Sequence, residues 1–283
     1  MEYVKINPKD NDVRSNYHLM ISAIAPRPIA LVGSIDKNNH CNLAPFSFFN
    51  GFGANPPIVG FSPALSGRTG LPKDTLNNIK EVKEFTISIV TSDIVEQTSL
   101  ASSEYSADVD EYVKSGFTKH KSELIKPFGV KESPVIMECK LHSITTLGNK
   151  PASGNLILGE IIYFHISQNI VSENNKIDPY KINQVGRAGG PLYTEIQESL
   201  FSIEKPKGTG VGFDNIPKDF LESILTGNEL AKISSVSIIP KMEPNKKYNV
   251  KLEVAIGYIR TYLNENKINH AWQVILNWVK YNE

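Results

Sequence analysis

Residues Leu156 to Ile166, LILGEIIYFHI, are apolar at odd and even positions alike, with one charged side chain in the run. A strand sends successive side chains to opposite faces, so such a segment needs cover on both sides. It is too short to span a bilayer as a helix. Just before it, Met137, Cys139 and Leu141 alternate with Glu138, Lys140 and His142, the period of a strand with one face buried and one in water. Together they point to a barrel in which one face packs inward and the other is covered by a helix or a second subunit.

Further strands are expected at Ile29 to Ile35, at Cys41 to Phe49, at Ile58 to Phe61 and at Phe85 to Val90. The turn-forming run Asp36 to Asn39 makes the second of these the hairpin partner of the first. Pro45 interrupts it and removes a ladder donor, which places it at an edge, a bulge or a barrel rim. Leu76, Ile79 and Val82 form the apolar stripe of a helix, with Asp74 or Thr75 to cap the free N–H groups of its first turn. Two short helices are expected at Ile94 to Ser102 and Val109 to Lys114. Strands with scattered helices favour an antiparallel barrel over alternating βαβ units.

Beyond about Pro206 the texture changes. Pro217 to Leu225 and Asn228 to Lys232 read as short helices, and Tyr248 to Leu263 with Ile268 to Tyr281 as an amphipathic helical hairpin turning at Asn264, Glu265 and Asn266. The chain is therefore divided into residues 1–205, the barrel, and 206–283, a mostly helical extension.

The 283 residues carry 30 basic and 30 acidic side chains, so no global field draws the protein to nucleic acid or an anionic membrane. The local basic groups at Lys205 and Lys207, and at Lys246 and Lys247, read as solvated surface. Cys41 and Cys139 lie far apart without metal-ligand spacing, the usage of buried free thiols in a reducing compartment. No uninterrupted apolar run opens the chain and none later is long enough to cross a bilayer, so the expected location is the cytoplasm. The histidines lack HExxH or paired spacing, and no acid–base pair stands out. That pattern suits chemistry carried by a cofactor.

Three stretches have the residue types to hold a flat, phosphorylated cofactor. In APRPIALVGS, prolines on both sides restrain Arg27, which can pair with a phosphate or serve as a surface arginine before a strand. In NLAPFSFFN, Asn42, Ser47 and Asn50 sit beside Phe46, Phe48 and Phe49, offering polar groups to a ring's edge and apolar walls to its faces. In KDTLNNI, a lysine and a hydroxyl at a helix start make an anion site of free N–H groups, or simply a capped helix.

These segments, with NPP, SPVIMECKL, LILGEIIYFHI and VGRAGGPLY, occur in the order seen in the flavin reductase-like, FMN-binding split-barrel proteins, which the chain resembles from about residue 15 to 200. The resemblance implies a mainly β fold, a six-stranded antiparallel split β-barrel, here with added C-terminal helices. It also implies a homodimer with FMN, rather than FAD, near the subunit interface. Carried over residue by residue, it puts Arg27, Pro28 and Ser34 at the first flavin segment. Asn42, Ser47, Phe48 and Asn50 fall at the second, and Lys73, Asp74, Thr75 and Asn78 at the third. Arg187, with Gly189, Gly190 and Tyr193, matches a segment lining the nicotinamide or substrate side; the alternative for Arg187 is a structural ion-pair arginine. Leu31 and Gly33 stand where an aromatic and a hydroxyl residue are common, and a hydroxyl missing at Gly33 would remove one flavin contact. The run Gly51 to Ala54 replaces a more polar one.

The implied activity is hydride transfer from NAD(P)H to flavin N5, with no metal. The alternative is a flavoredoxin-like electron carrier that exchanges electrons with a protein partner. A non-catalytic binding module on the same barrel is the third reading.

Overall fold

A computed structural model of the chain describes residues 1–206, 208–243 and 248–282. Lys207, Lys246 and Lys247, read above as basic surface, lie outside the described residues. The chain forms two compact units, Met1–Leu200 and Phe201–Glu283.

The first unit opens with helix α1 (Val13–Ala23), which the polar N-terminus did not announce; Asp12 caps it by accepting from the Ser15 amide at 2.8 Å. Seven antiparallel strands follow: β1 (Ala30–Ile35), β2 (Cys41–Phe46), β3 (Phe49–Ala54), β4 (Pro57–Phe61), β5 (Glu84–Ile89), β8 (Val135–Thr146) and β9 (Asn155–Ile166). Two-residue strands β6 (Lys119–His120) and β7 (Gly129–Val130) pair separately, as do β10 (Val185–Arg187) and β11 (Tyr193–Glu195). The main sheet runs β2-β1-β5-β8-β9-β4-β3. Its two edge strands, β2 and β3, are joined by only Ser47 and Phe48. Three Cα steps reach about 11 Å, so the sheet must curl until its edges nearly meet, which makes it a barrel with a split between β2 and β3.

The antiparallel barrel class is as expected, with seven strands in place of six. The expected strand Cys41 to Phe49 breaks after Phe46, and its tail starts a new strand on the opposite edge. Gly51 to Ala54, the run that replaces a more polar one, is part of β3: Gly53 pairs with Ile58, the register shifts past Phe52, and the Phe52 ring lies over Gly60. A Cβ on Gly60 would sit 2.6 Å from that ring.

Alternation along β1 divides the core. Ala30 and Val32 face inward onto Val59, Phe61, Phe85, Ile87, Met137, Cys139 and Ile157. Helix α2 (Asp74–Val82) caps this interior with Leu76 and Ile79. Leu31 faces outward with Leu43 onto helices α3 (Val95–Leu100) and α4 (Glu111–Ser115), joined by Ile94, Tyr112 and Val130. Each fully buried apolar side chain contributes about 1.5–3 kcal/mol. Cys139 is buried among them and its thiol is pushed up by burial, whereas Cys41 is only half-buried. Both thiols are free.

The polar face expected for Met137 to Ser143 is not all in water. Glu138 is fully buried, and bulges at Glu138/Cys139 and Leu141/Ser143 interrupt the alternation. On β9 the residues expected to be covered include Tyr163, Phe164 and Ile166, which are exposed.

The second unit holds α5 (Lys218–Leu221), α6 (Gly227–Ile233), α7 (Leu252–Asn264) and α8 (Ile268–Asn282). A capping box of Thr226 and Glu229 starts α6, and the α7–α8 hairpin turns through Asn266 in the left-handed region. Its own core contains Phe220, Ile233, Ile256, Ile259, Trp272 and Ile275. The expected helix from Tyr248 begins only at Leu252, because the Val250 carbonyl accepts from Trp278 Nε1 at 2.8 Å and the chain there is not helical. Among the described residues no helix is long and apolar enough to cross a membrane.

Candidate functional site

Ser34 and Asn42 are direct partners across the β1–β2 ladder, on the inward face. The Asn42 amide donates to Ser34 Oγ at 3.1 Å and to Thr75 Oγ1 at 2.9 Å, and Asn78 Nδ2 donates to the same serine at 3.2 Å. All four side chains are buried. Two strands and one helix thus converge on a polar patch beside an otherwise apolar interior. Among the described residues the Oδ1 atoms of Asn42 and Asn78 have no partner, and no fully buried side-chain atom lacks one. Both oxygens therefore reach the surface as open acceptors.

The same patch adjoins the start of α2. Its N-cap is Lys73, not Asp74, and no side chain caps it. Thr75, expected to cap, instead accepts from Asn42. The first amides with carbonyl partners are those of Leu76 and Asn77, which bond to Lys73 O. Among the described residues the Asp74 and Thr75 amides have no acceptor, and Lys73 is exposed without an ion-pair partner. Free N–H groups, the positive helix end and an unpaired ammonium together suit an anion. Asp74 is half-buried in the first turn.

Arg27 belongs elsewhere. It is buried at 5% exposure, and Nη1 donates to the carbonyls of Ile21 and Ile24, both at 2.5 Å, closing the end of α1. Nη2 donates to Ala188 O at 3.2 Å, and Nε to Ser47 Oγ at 3.5 Å. Four of its five N–H groups thus face protein acceptors, which leaves little for a phosphate. Its backbone pairs with that of Arg187. Arg187 Nη1 donates to the Tyr193 hydroxyl at 2.5 Å and Nη2 to Gly190 O at 3.1 Å, with the guanidinium 4.7 Å from the Tyr193 ring centre.

A cavity of about 110 Å³ joins Ser47 and Pro45 to Arg187, Tyr193 and the hydroxyls of Thr98 and Ser99 on α3 and of Ser102 just after it. Sequence reasoning passed over those three. The available signal was the spacing of Ser102, three and four residues after Ser99 and Thr98, which puts the three hydroxyls on one side of a helical turn. The remaining expected residues stand apart: Phe48 meets Tyr17 edge-on at 6.5 Å, Asn50 is exposed on β3, and Pro28 is exposed. Of the phenylalanine wall, Phe46 and Phe49 pack into the barrel core. Gly33 points to the face opposite Ser34, where an added Cβ would lie 2.2 Å from Phe128 O and 2.4 Å from the Tyr112 hydroxyl. No side chain fits there.

Two buried carboxylates also went unforeseen. Glu111 Oε2 accepts from the Leu43 amide at 3.0 Å, closing the outer edge of β2 one residue from Asn42, and burial raises its carboxyl. Glu138 accepts from the amides of Glu123 and Leu124 at 2.7 and 2.8 Å and from His165 Nε2 at 2.6 Å. His165 Nδ1 in turn lies 3.3 Å from His120 Nε2. The absence of an acid–base pair in the sequence is thus corrected: the pair lies 27 residues apart, on neighbouring strands. Burial pushes the Glu138 carboxyl up, but the two amides and His165 outweigh it and hold it below the ordinary range. His120 is pushed down by burial and by His165.

Both groups bind fewer protons in the folded state, so both favour folding at higher pH. Stability should fall as pH drops below about 6.5 and further as Glu138 protonates. Glu138→Gln should be less stable than wild type at pH 7, with the difference shrinking by pH 3. Thermal melts of both proteins across that interval decide it, and a constant difference would refute the assignment.

Comparison with known proteins matches residues 22–180 to the family described as the flavin reductase like domain, over half of the chain. The chain belongs to that family. An uncharacterized protein of Halalkalibacterium halodurans is 32% identical over 206 residues, 72% of this chain and 97% of that one. Among solved structures, nitrilotriacetate monooxygenase component B from Bacillus cereus aligns with a TM-score of 0.68 at 29% identity, over 72% of this chain and 100% of that one. A Shewanella frigidimarina protein described as a flavin reductase with a split barrel domain aligns at 0.60 with 26% identity, over 69% and 94%. The flavin reductase-like fold, a mainly antiparallel split barrel, is therefore shared. These relatives are covered almost whole, so over a quarter of this chain has no counterpart in them.

Proposed function

We propose that the chain is an FMN-binding oxidoreductase of the NAD(P)H-dependent flavin reductase type. The convergence of Ser34, Asn42, Thr75 and Asn78 beside the uncapped start of α2 carries this reading. Lys73 with the Asp74 and Thr75 amides would hold the phosphate, and the open oxygens of Asn42 and Asn78 would accept from polar groups of the cofactor. The bound flavin supplies the hydride acceptor, its N5. None of Ser34, Asn42, Thr75 and Asn78 titrates near neutrality, so the grip is independent of pH there and proton exchange falls to solvent. Arg27 fixes Ser47 and the 187–190 segment and does not itself hold phosphate. Arg187 and Tyr193, which line the small cavity with Pro45 and Ser47, would meet the nicotinamide nucleotide or an acidic substrate.

The exposed Tyr163, Phe164 and Ile166 of β9 support pairing with a second copy, the arrangement in which the cofactor would lie near the interface. Purified protein should carry a flavin absorption spectrum that NADH or NADPH bleaches without oxygen, and should sediment at twice the chain mass. Lys73→Ala/Thr75→Ala should lose flavin at least tenfold more readily. Bound flavin that neither nucleotide reduces would replace this reading with that of an electron carrier. Protein that stays colourless with added FMN would leave only a binding module.

A further inference from the structure

The loop 121–128, between β6 and β7, closes over the outer face of β1 and leaves a pocket of about 490 Å³. Its lining is Ile35, Ile125 and Phe128, with Asn39, Ser122 and the lysines Lys121 and Lys126. Ile35 and Ile125 are buried, whereas both lysines are exposed. Among the described residues neither ammonium has an ion-pair or hydrogen-bond partner. An apolar floor under two unpaired cations matches an amphipathic anion, which would cover the floor and neutralise the rim in one molecule.

The pocket is preformed. Glu138 holds the amides of Glu123 and Leu124, and Glu84 accepts from the Lys126 amide at 3.1 Å. Ser122 Oγ donates to Pro127 O at 2.5 Å. Phe128 O accepts from the hydroxyls of Thr86 at 2.7 Å and Tyr112 at 2.6 Å. On the other wall, Asp36 accepts from the Asn38 and His40 amides at 2.8 Å, fixing the turn that carries Asn39. The nearby carboxylates of Glu84 and Glu138 are thus engaged by loop amides, not by the lysines. A ligand entering here would order little new chain, which spares the entropy that usually weakens loop sites. The volume suits one or two fused rings.

We propose that this pocket is a binding site for a small aromatic carboxylate, its ring on Ile35, Ile125 and Phe128 and its carboxylate between Lys121 and Lys126. The site is separate from the Ser34 cluster: Ser34 and Ile35 are consecutive on β1 and face opposite sides of the sheet. The proposal does not depend on the reading of that cluster as a flavin site.

The test is calorimetric titration of the purified protein, with whatever flavin it retains, with 2-naphthoate and with its neutral analogue 2-naphthalenemethanol. One naphthoate should bind per chain, with the alcohol at least tenfold weaker. Lys121→Ala/Lys126→Ala, both at exposed positions, should weaken naphthoate at least tenfold, and Ile125→Trp should fill the pocket and abolish binding. Bound flavin should be the same in all. The proposal fails if millimolar naphthoate does not bind, if the double lysine variant binds within twofold of wild type, or if added FMN displaces naphthoate.

Discussion

Replacing Gly33 with alanine should destabilise the barrel by about 3 kcal/mol and lower its melting temperature by roughly 6–12 °C. The new methyl would meet Phe128 O at 2.2 Å, the Tyr112 hydroxyl at 2.4 Å and Thr86 Oγ1 at 2.5 Å. Two of those contacts are the donors that satisfy Phe128 O, so the methyl cannot be accommodated by one side chain turning aside. Either the loop lifts, losing both hydrogen bonds, or β1 moves and disturbs the ladders on both its edges. Gly51→Ala is the control, since nothing lies within 4 Å of a Cβ there, and its effect should stay within about 0.5 kcal/mol. A Gly33→Ala protein melting within 2 °C of wild type would show that the loop yields despite its anchors.

Trp272→Ala should cost about 3–5 kcal/mol, confined to the second unit. Trp272 is 1% exposed, and its Nε1 donates to Ile233 O at 2.9 Å. Truncation opens a cavity against α6 and strands a buried carbonyl. In a unit of this size that loss approaches the whole stability expected of it. The readout is built in, because the chain's only tryptophans are Trp272 and Trp278. In the variant, Trp278 emission should shift to the wavelength of a solvated indole while flavin retention is unchanged. Native-like emission would mean that the α7–α8 hairpin holds without its central side chain, and loss of flavin would mean that the two units depend on each other.

The fold was legible where periodicity is local. The turn at Asp36 to Asn39 and the α7–α8 hairpin lie where their residue patterns place them, and a strand runs through Met137 as expected, though not with the expected alternation of faces. Helix α1 was hidden because no apolar stripe marks it: Ile21 is its one buried side chain, and its end is closed by Arg27, which binds the carbonyls of Ile21 and Ile24. The same fact explains why Arg27 looked free for a phosphate. A sequence shows a guanidinium but not which carbonyls surround it. In the site, Ser34 with Asn42 follows from the hairpin register, whereas Thr75 and Asn78 join only when α2 caps the barrel. Glu138 with His165 was illegible for a related reason. Two bulges break the alternation that would have shown which face each occupies, and the cover over Glu138 is a loop whose path no local pattern encodes.

The two-residue link at Ser47 and Phe48 sets a mechanical limit on the split barrel. Strands β2 and β3 leave that link in different directions and stay covalently tied there, so the seam between them can open only as a wedge with its apex at Ser47. Widening grows with distance from the apex and is greatest toward Cys41 and Ala54. Asn42 lies at the wide end of that wedge and Ser47 at its apex.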